Sequence, residues 1–203
     1  MVVYCSLGYH CHSTKILKRN KIKKESYPFD WIFSNIFIVT DCLNDDFKKM
    51  LDKKLYIENN GSSCGHSFYK KKLFPHRDMT LDTNYNYLSR CVNRFNKLLQ
   101  SKEDKIFLTT IIDIELMKKI HENMLNLKKL LDTKTDNFLL VCMVFLYDKP
   151  YNDHYIEINN NIHIIYINCI SRSNGMEFNE DKDNNYVDSI IKNNYIKGSS
   201  FGS

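Results

Sequence analysis

Apolar residues along this chain fall into two rhythms. Residues 2–7, 106–112, 138–146 and 162–167 are short, nearly continuous apolar runs rich in β-branched and aromatic side chains. Runs of this kind predict strands covered on both faces. The segments between them repeat every three to four residues. They predict helices over 12–21, with Ile16 and Leu17 on one face, over 42–51 with Asp41 as its cap, over 85–99, 114–131 and 187–196. In the third of these, Tyr87, Cys91, Phe95 and Leu98 keep the helical spacing. Residues 29–39 are strongly apolar and hold the only tryptophan, whereas 59–83 carry Gly61, Gly65 and Pro75 with little periodicity and read as a long loop.

Continuous strands alternating with helices predict an α/β fold: a mostly parallel, Rossmann-like sheet with helices on both faces. Ligands of such sheets sit at the carboxyl ends of the strands. No repeat or linker divides the chain, so residues 1–197 read as one globular α/β domain and 198–203 as a flexible tail.

Composition narrows the class. The chain has 203 residues, 43% hydrophobic, 26% charged and 13% aromatic, which excludes a fibrous or largely disordered protein. No apolar run approaches the ~20 residues of a membrane span. Alanine is absent, and 24 lysines outnumber 5 arginines; an AT-rich coding sequence accounts for this bias. A net charge of +5 is too mild, and too poor in arginine, for a dedicated nucleic-acid binder. The seven cysteines are irregularly spaced without a C-x-x-C pair. Met1 leads straight into a strand and not into a signal sequence. A cytoplasmic, reducing setting with free thiols is therefore expected, with Cys142 and Cys169 as core residues.

Chemistry concentrates in three segments. In Ser6-Leu7-Gly8-Tyr9-His10-Cys11 a strand ends at a glycine turn, and Cys11 falls where the next helix begins. Free amides and the helix dipole there favour a thiolate, the attacking species of cysteine hydrolases; the alternative is that Cys11 packs beneath the turn. His10 and His12 flank it and point apart, so a base must come from elsewhere. Phe74-Pro75-His76-Arg77-Asp78 supplies one candidate. Asp78 is placed to orient its ring or to pair with Arg77, although a loop histidine can equally cap a helix or bind a carbonyl. His66 is the rival base. The third segment, Tyr27-Pro28-Phe29-Asp30-Trp31, sets Asp30 between large aromatics, where a carboxylate needs a partner. It either orients a histidine or pins the loop. His10, His12, Cys64 and His66 lack the paired spacings of zinc sites, and the phosphate-loop, dinucleotide, G-x-S-x-G and H-E-x-x-H signatures are missing. No metal or cofactor is expected. Six basic residues among 15–24 read as a solvated helix face.

Ser6-Leu7-Gly8 with Cys11, the Ile16-Leu17-Lys18 helix and Ser26-Tyr27-Pro28-Phe29-Asp30-Trp31 together resemble the opening of the DUF1796 family, described as papain-like cysteine peptidases. Phe74 to Asp78, the helix with Tyr87, Arg90, Arg94 and Phe95, and the strand from Ile106 resemble its second block, so the likeness extends to about residue 112 and more weakly to about 170. The resemblance implies Cys11 as nucleophile, His76 as base and Asp30 as the matching aspartate; an extra Arg77 separates His76 from Asp78.

Two main readings follow, beside a third in which the chain is a non-catalytic interaction domain. In the first, Cys11 attacks a carbonyl of a peptide or small-molecule substrate, His76 shuttles the proton, Asp30 or Asp78 orients the ring, and amides after Gly8 hold the oxyanion. In the second, the Gly8 turn binds an anion such as a nucleotide sugar, Lys15 or Arg77 contacts its phosphate, and Cys11 is packing. His10, Trp31, His66, Arg77 and Asp78 are candidate ligand contacts in either.

Overall fold

The computed structural model describes residues 1–59, 61–112 and 117–196. Its main sheet has five strands: β1 (Val2–Ser6), β5 (Asp104–Ile111), β6 (Phe138–Leu146), β8 (Ile162–Asn168) and β7 (Asp153–Asn159), in that spatial order. The first four run parallel, and β7 closes the far edge antiparallel to β8. The α/β class with a mostly parallel sheet is thus as expected. One Rossmann feature differs: β1 is an edge strand, and the order runs outward from it in one direction.

Side chains alternate across the sheet and feed two cores. Phe107, Leu140, Cys142 and Val144 face one layer, made of α2 (Ile36–Asn44), α3 (Asp82–Gln100) and α4 (Ile120–Asp132). Ile106, Leu108, Leu139, Val141 and Met143 face the other, made of α1 (His12–Arg19) and α5 (Asp181–Ile191), which runs on into a π-helical turn over Lys192–Ile196. Arg19 clamps α1 to α5 with a two-pronged contact to Asp188 at 2.7 and 2.8 Å. In the first core Phe95 of α3 meets Phe29, Phe47 and Phe107 at ring distances of 5.8–6.1 Å, with interplanar angles of 66–88°. Such tilted geometry brings ring edges onto ring faces, where the quadrupoles attract.

Several elements depart from the expectations. The helix expected over 42–51 starts earlier, at Ile36, where the Asn35 side chain accepts from the Ile38 amide at 3.0 Å. It ends at Asn44, because Asp46 and Phe47 take left-handed backbone (φ 53° and 61°). Asn35 is therefore the cap, and Asp41 instead pairs with Lys49. The supposed long loop holds two short strands, β3 (Cys64–His66) and β4 (Lys70–Phe74), which join β2 (Tyr56–Glu58) in a three-stranded antiparallel sheet. Strands this short carry too little alternation to be read. β7 was also unforeseen; its residues are mostly exposed and polar, as suits an edge. α5 begins at Asp181, upstream of its apolar part, because Asp183, Asn184 and Asp188 are buried polar residues. The helix expected over 114–131 is seen from Ile120, and its residues 114–116 lie outside the described residues, as does the expected tail. No helix among the described residues is long and apolar enough to cross a membrane.

Phe95 is fully buried at the centre of the first core. Phe95→Ala should lower the unfolding free energy by about 3–5 kcal/mol, read as a shift of the urea midpoint at unchanged m-value.

Candidate active site

β1 delivers the chain into a turn of unusual backbone. Gly8, Tyr9 and His10 all have positive φ, at 82°, 64° and 56°. Only Gly8 adopts this freely; each L-residue pays roughly 1–2 kcal/mol. Gly8 is also required sterically, because a Cβ there would lie 1.9 Å from Ser34 Oγ. Hydroxyls hold the turn. Ser6 Oγ accepts the Gly8 amide at 3.1 Å, and Ser34 Oγ accepts that of Tyr9 at 3.3 Å. Ser13 and Thr109 donate to the Gly8 carbonyl at 3.1 and 3.2 Å, and Thr110 to that of Tyr9 at 3.2 Å. At about 0.5–1.5 kcal/mol each, five such bonds outweigh the strain of two left-handed side chains.

The turn sets Cys11 at the N-cap of α1, with its carbonyl accepting the Lys15 amide at 2.9 Å. His76 arrives from the small sheet. β4 pairs Phe74 with Cys64, and the Leu73 carbonyl accepts the Phe33 amide at 2.8 Å. Phe33 packs under the His10 ring at 4.8 Å, so the segment that holds Tyr9 through Ser34 also fixes the start of the histidine loop. Cys11 Sγ lies 3.5 Å from His76 Nε2, within hydrogen-bond reach for sulfur. The sulfur is buried and the imidazole exposed.

Burial sets the resting charge. It pushes the Cys11 thiol up to about 11, and the nearby Asp30 carboxylate adds to the rise. The dipole of a short helix offers only about 0.3–1 kcal/mol, so burial opposes the thiolate expected from helix position alone.

The other candidates are placed as follows. Asp30 is buried and does not reach His76. Its Oδ2 accepts from the Lys23 ammonium and from the Tyr27 amide at 2.8 Å, and Thr14 Oγ1 donates to Oδ1 at 3.3 Å and to the backbone carbonyl at 2.6 Å. It pins the 26–31 loop to α1. Asp78 Oδ1 accepts from the amide and hydroxyl of Thr80 at 2.9 and 2.7 Å, so among the described residues no carboxylate orients the His76 ring. Arg77 stacks on Tyr87 at 4.1 Å and donates to Asn84. Trp31 is half-buried under the Lys18 ammonium at 5.3 Å. His66 is buried in β3, with Nε2 on the Lys49 carbonyl at 3.0 Å and burial lowering its pKa. His10 is half-buried, its pKa lowered by burial and by Lys70. His12 packs on Phe145 and Phe178 with Nδ1 on Ser173 Oγ at 2.9 Å, and burial lowers its pKa to about 3. Cys64 belongs to the opposite core from those two phenylalanines, so the four weighed zinc ligands are not gathered. Lys15 pairs with Glu177 at 3.6 Å.

Of the amides around Gly8, expected to hold an oxyanion or a phosphate, three are committed within the chain. Those of Gly8 and Tyr9 go to Ser6 and Ser34, and that of Cys11 donates to the Gly175 carbonyl at 3.0 Å. Sequence reasoning missed Ser34, Thr109, Thr110 and Gly175. The threonine pair, polar in an otherwise apolar strand, was the one local signal.

The sequence model of a family described as "Putative papain-like cysteine peptidase (DUF1796)" matches residues 2–78. The matched stretch contains both Cys11 and His76 and stops at Asp78, short of the α3 and β5 blocks to which the likeness was expected to extend. No curated protein and no solved structure gave a match.

A thiol ionising near 11 implies a defined labelling profile. Alkylation of Cys11 by iodoacetamide should be slow at pH 7 and climb through pH 9–11 instead of levelling near the ~8.5 of a free thiol. The folded-state pKa is raised, so ionisation of Cys11 favours unfolding, and stability should fall as pH rises from ~8.5 through about 11. The six other buried thiols add to that fall, so Cys11→Ser should lessen its slope by one thiol's share in alkaline urea titrations.

Proposed function

We propose that the protein is a cysteine hydrolase of the papain-like peptidase type, with Cys11 as nucleophile and His76 as general base. The observation that supports this most directly is the 3.5 Å contact between Cys11 Sγ and His76 Nε2, made by residues 65 positions apart. Cysteine precedes histidine in the chain, as in papain-like enzymes, and the family match spans both.

Burial pushes the Cys11 thiol up to about 11, which opposes a standing thiolate at neutral pH. His76 must therefore take the proton as sulfur attacks. Sγ bonds to the carbonyl carbon, the S–H proton passes to Nε2, and the carbonyl π electrons move to oxygen. In this reading the positive end of α1 and its first-turn amides, which lack intrahelical acceptors, stabilise that developing charge. Collapse returns the proton from His76 to the leaving group and leaves a thioester at Cys11. Water, giving a proton to His76, then bonds to the thioester carbon; the C–S bond breaks, the acid departs, and the proton passes from His76 back to the Cys11 sulfur. Asp30 acts at one remove by fixing the 26–31 loop against the helix that carries Cys11.

The test is turnover of a panel of fluorogenic peptide amides and esters, paired with a thiol-directed activity probe. Cys11→Ala should abolish both turnover and probe labelling, and His76→Ala should cut kcat/KM by about 10²–10⁴, with far-UV circular dichroism unchanged in each. Equal turnover by wild type and Cys11→Ala would refute the assignment.

A further inference from the structure

One contact at the site works against catalysis as it stands. The amide of Cys11, the residue that carries the sulfur, is occupied by the protein's own Gly175 carbonyl at 3.0 Å. Gly175 lies in the segment 170–179 between β8 and α5. We infer that this segment is a strap closed over the nucleophile, with the Gly175 carbonyl seated where a substrate's carbonyl oxygen would bind, and that it must lift for substrate to enter. This rests on the hydrolase reading and adds a regulatory step to it.

The strap is built unevenly. Its feet are fixed by buried groups. The Asp183 carboxylate accepts from the Ile170 and Ser171 amides at 2.9 and 2.7 Å and from the Ser171 hydroxyl at 2.6 Å. The Asn184 side chain holds both the amide and the carbonyl of Phe178, at 3.1 and 3.0 Å. Between the feet, the tip is a self-contained turn: Asn174 Oδ1 accepts the amides of Met176 and Glu177, and the Asn174 amide donates to the Glu177 carbonyl. A unit with its own internal bonds can move without unravelling.

The tip is tied to the site by little. Apart from the Cys11 amide, Ser173 Oγ meets His12 Nδ1 at 2.9 Å, and Glu177 meets Lys15 at 3.6 Å with both side chains more than a third exposed. Gly175 rests on the His10 ring, where an added Cβ would come within 3.4 Å of Nδ1, and its φ is +94°. An exposed ion pair of this kind contributes at most about 1 kcal/mol. Three of the polar anchors, Cys11, His12 and Lys15, lie together at the start of α1; the fourth is the Tyr147 hydroxyl, which accepts the Ser173 amide at 3.3 Å and sits at the strap's near foot.

The experiment measures alkylation of Cys11 by iodoacetamide in the full-length protein at pH 7, by peptide mass spectrometry, with buried Cys142 and Cys169 as internal reporters of unfolding. In Gly175→Ala the left-handed backbone is strained only while the strap is closed as seen here. The Cys11 rate should rise by roughly tenfold, with Cys142 and Cys169 unchanged. Ser173→Ala and Glu177→Gln should shift it in the same direction, and amide exchange at Cys11 should quicken in parallel. If all three thiols speed up together in Gly175→Ala, that variant has lost its fold and the other two decide. Unchanged Cys11 rates in both of those would overturn the strap. The hydrolase reading is scored separately: His76→Ala should slow Cys11 alkylation in both the wild-type and strap-variant backgrounds. Loss of that effect alone removes the dyad and leaves the strap standing.

Discussion

Everything about the site depends on forcing two ordinary residues, Tyr9 and His10, into left-handed backbone directly after a glycine. A chain leaving β1 in the usual way would carry on past the sheet edge. The left-handed run turns it back within three residues, so that α1 starts beside the end of the strand. The fold affords this through hydroxyls contributed by β1, α1, β5 and the Ser34 segment, each aimed at one backbone group of the turn. Four parts of the chain must be in place before the turn is stable, and Cys11 is thereby fixed by the whole N-terminal half.

His76 reaches the same point by a different route. The small sheet has β3 buried throughout, whereas β2 contributes no buried side chain and β4 only its last two. Its mechanical role is to end β4 in the buried pair Leu73 and Phe74, so that the following loop leaves in a fixed direction. The Phe33 amide on the Leu73 carbonyl couples that direction to the Ser34 segment and hence to the cysteine turn. His76 and Cys11 therefore share one positioning wall, although they come from separate sheets.

The sequence made the central sheet legible, because four runs of apolar residues allow only buried parallel strands. It also showed that Cys11 would open a helix and that Asp30, between aromatics, would need a partner. What it could not show was that the partner is Lys23 and not a histidine, since pairing across seven residues depends on how the loop folds back. The small sheet escaped notice because strands of three to five residues leave no period to detect. Ser34 and Gly175 escaped because their importance lies in single contacts with a turn far away in the chain. Position at a helix N-terminus suggested a thiolate, whereas burial decided the matter the other way. The dipole is readable from sequence; the depth at which a sulfur sits is not.

All seven cysteines are free and buried, and the candidate nucleophile is held as a thiol. Peroxide reacts with thiolates and needs access to them, so a sulfur kept protonated beneath the surface climbs the oxidation ladder slowly. The same burial denies one molecule the cysteine of another, which removes the route to cross-linked aggregates. A reactive group carried in this way is durable in storage, and its susceptibility to oxidative damage is confined to the moments when it is uncovered.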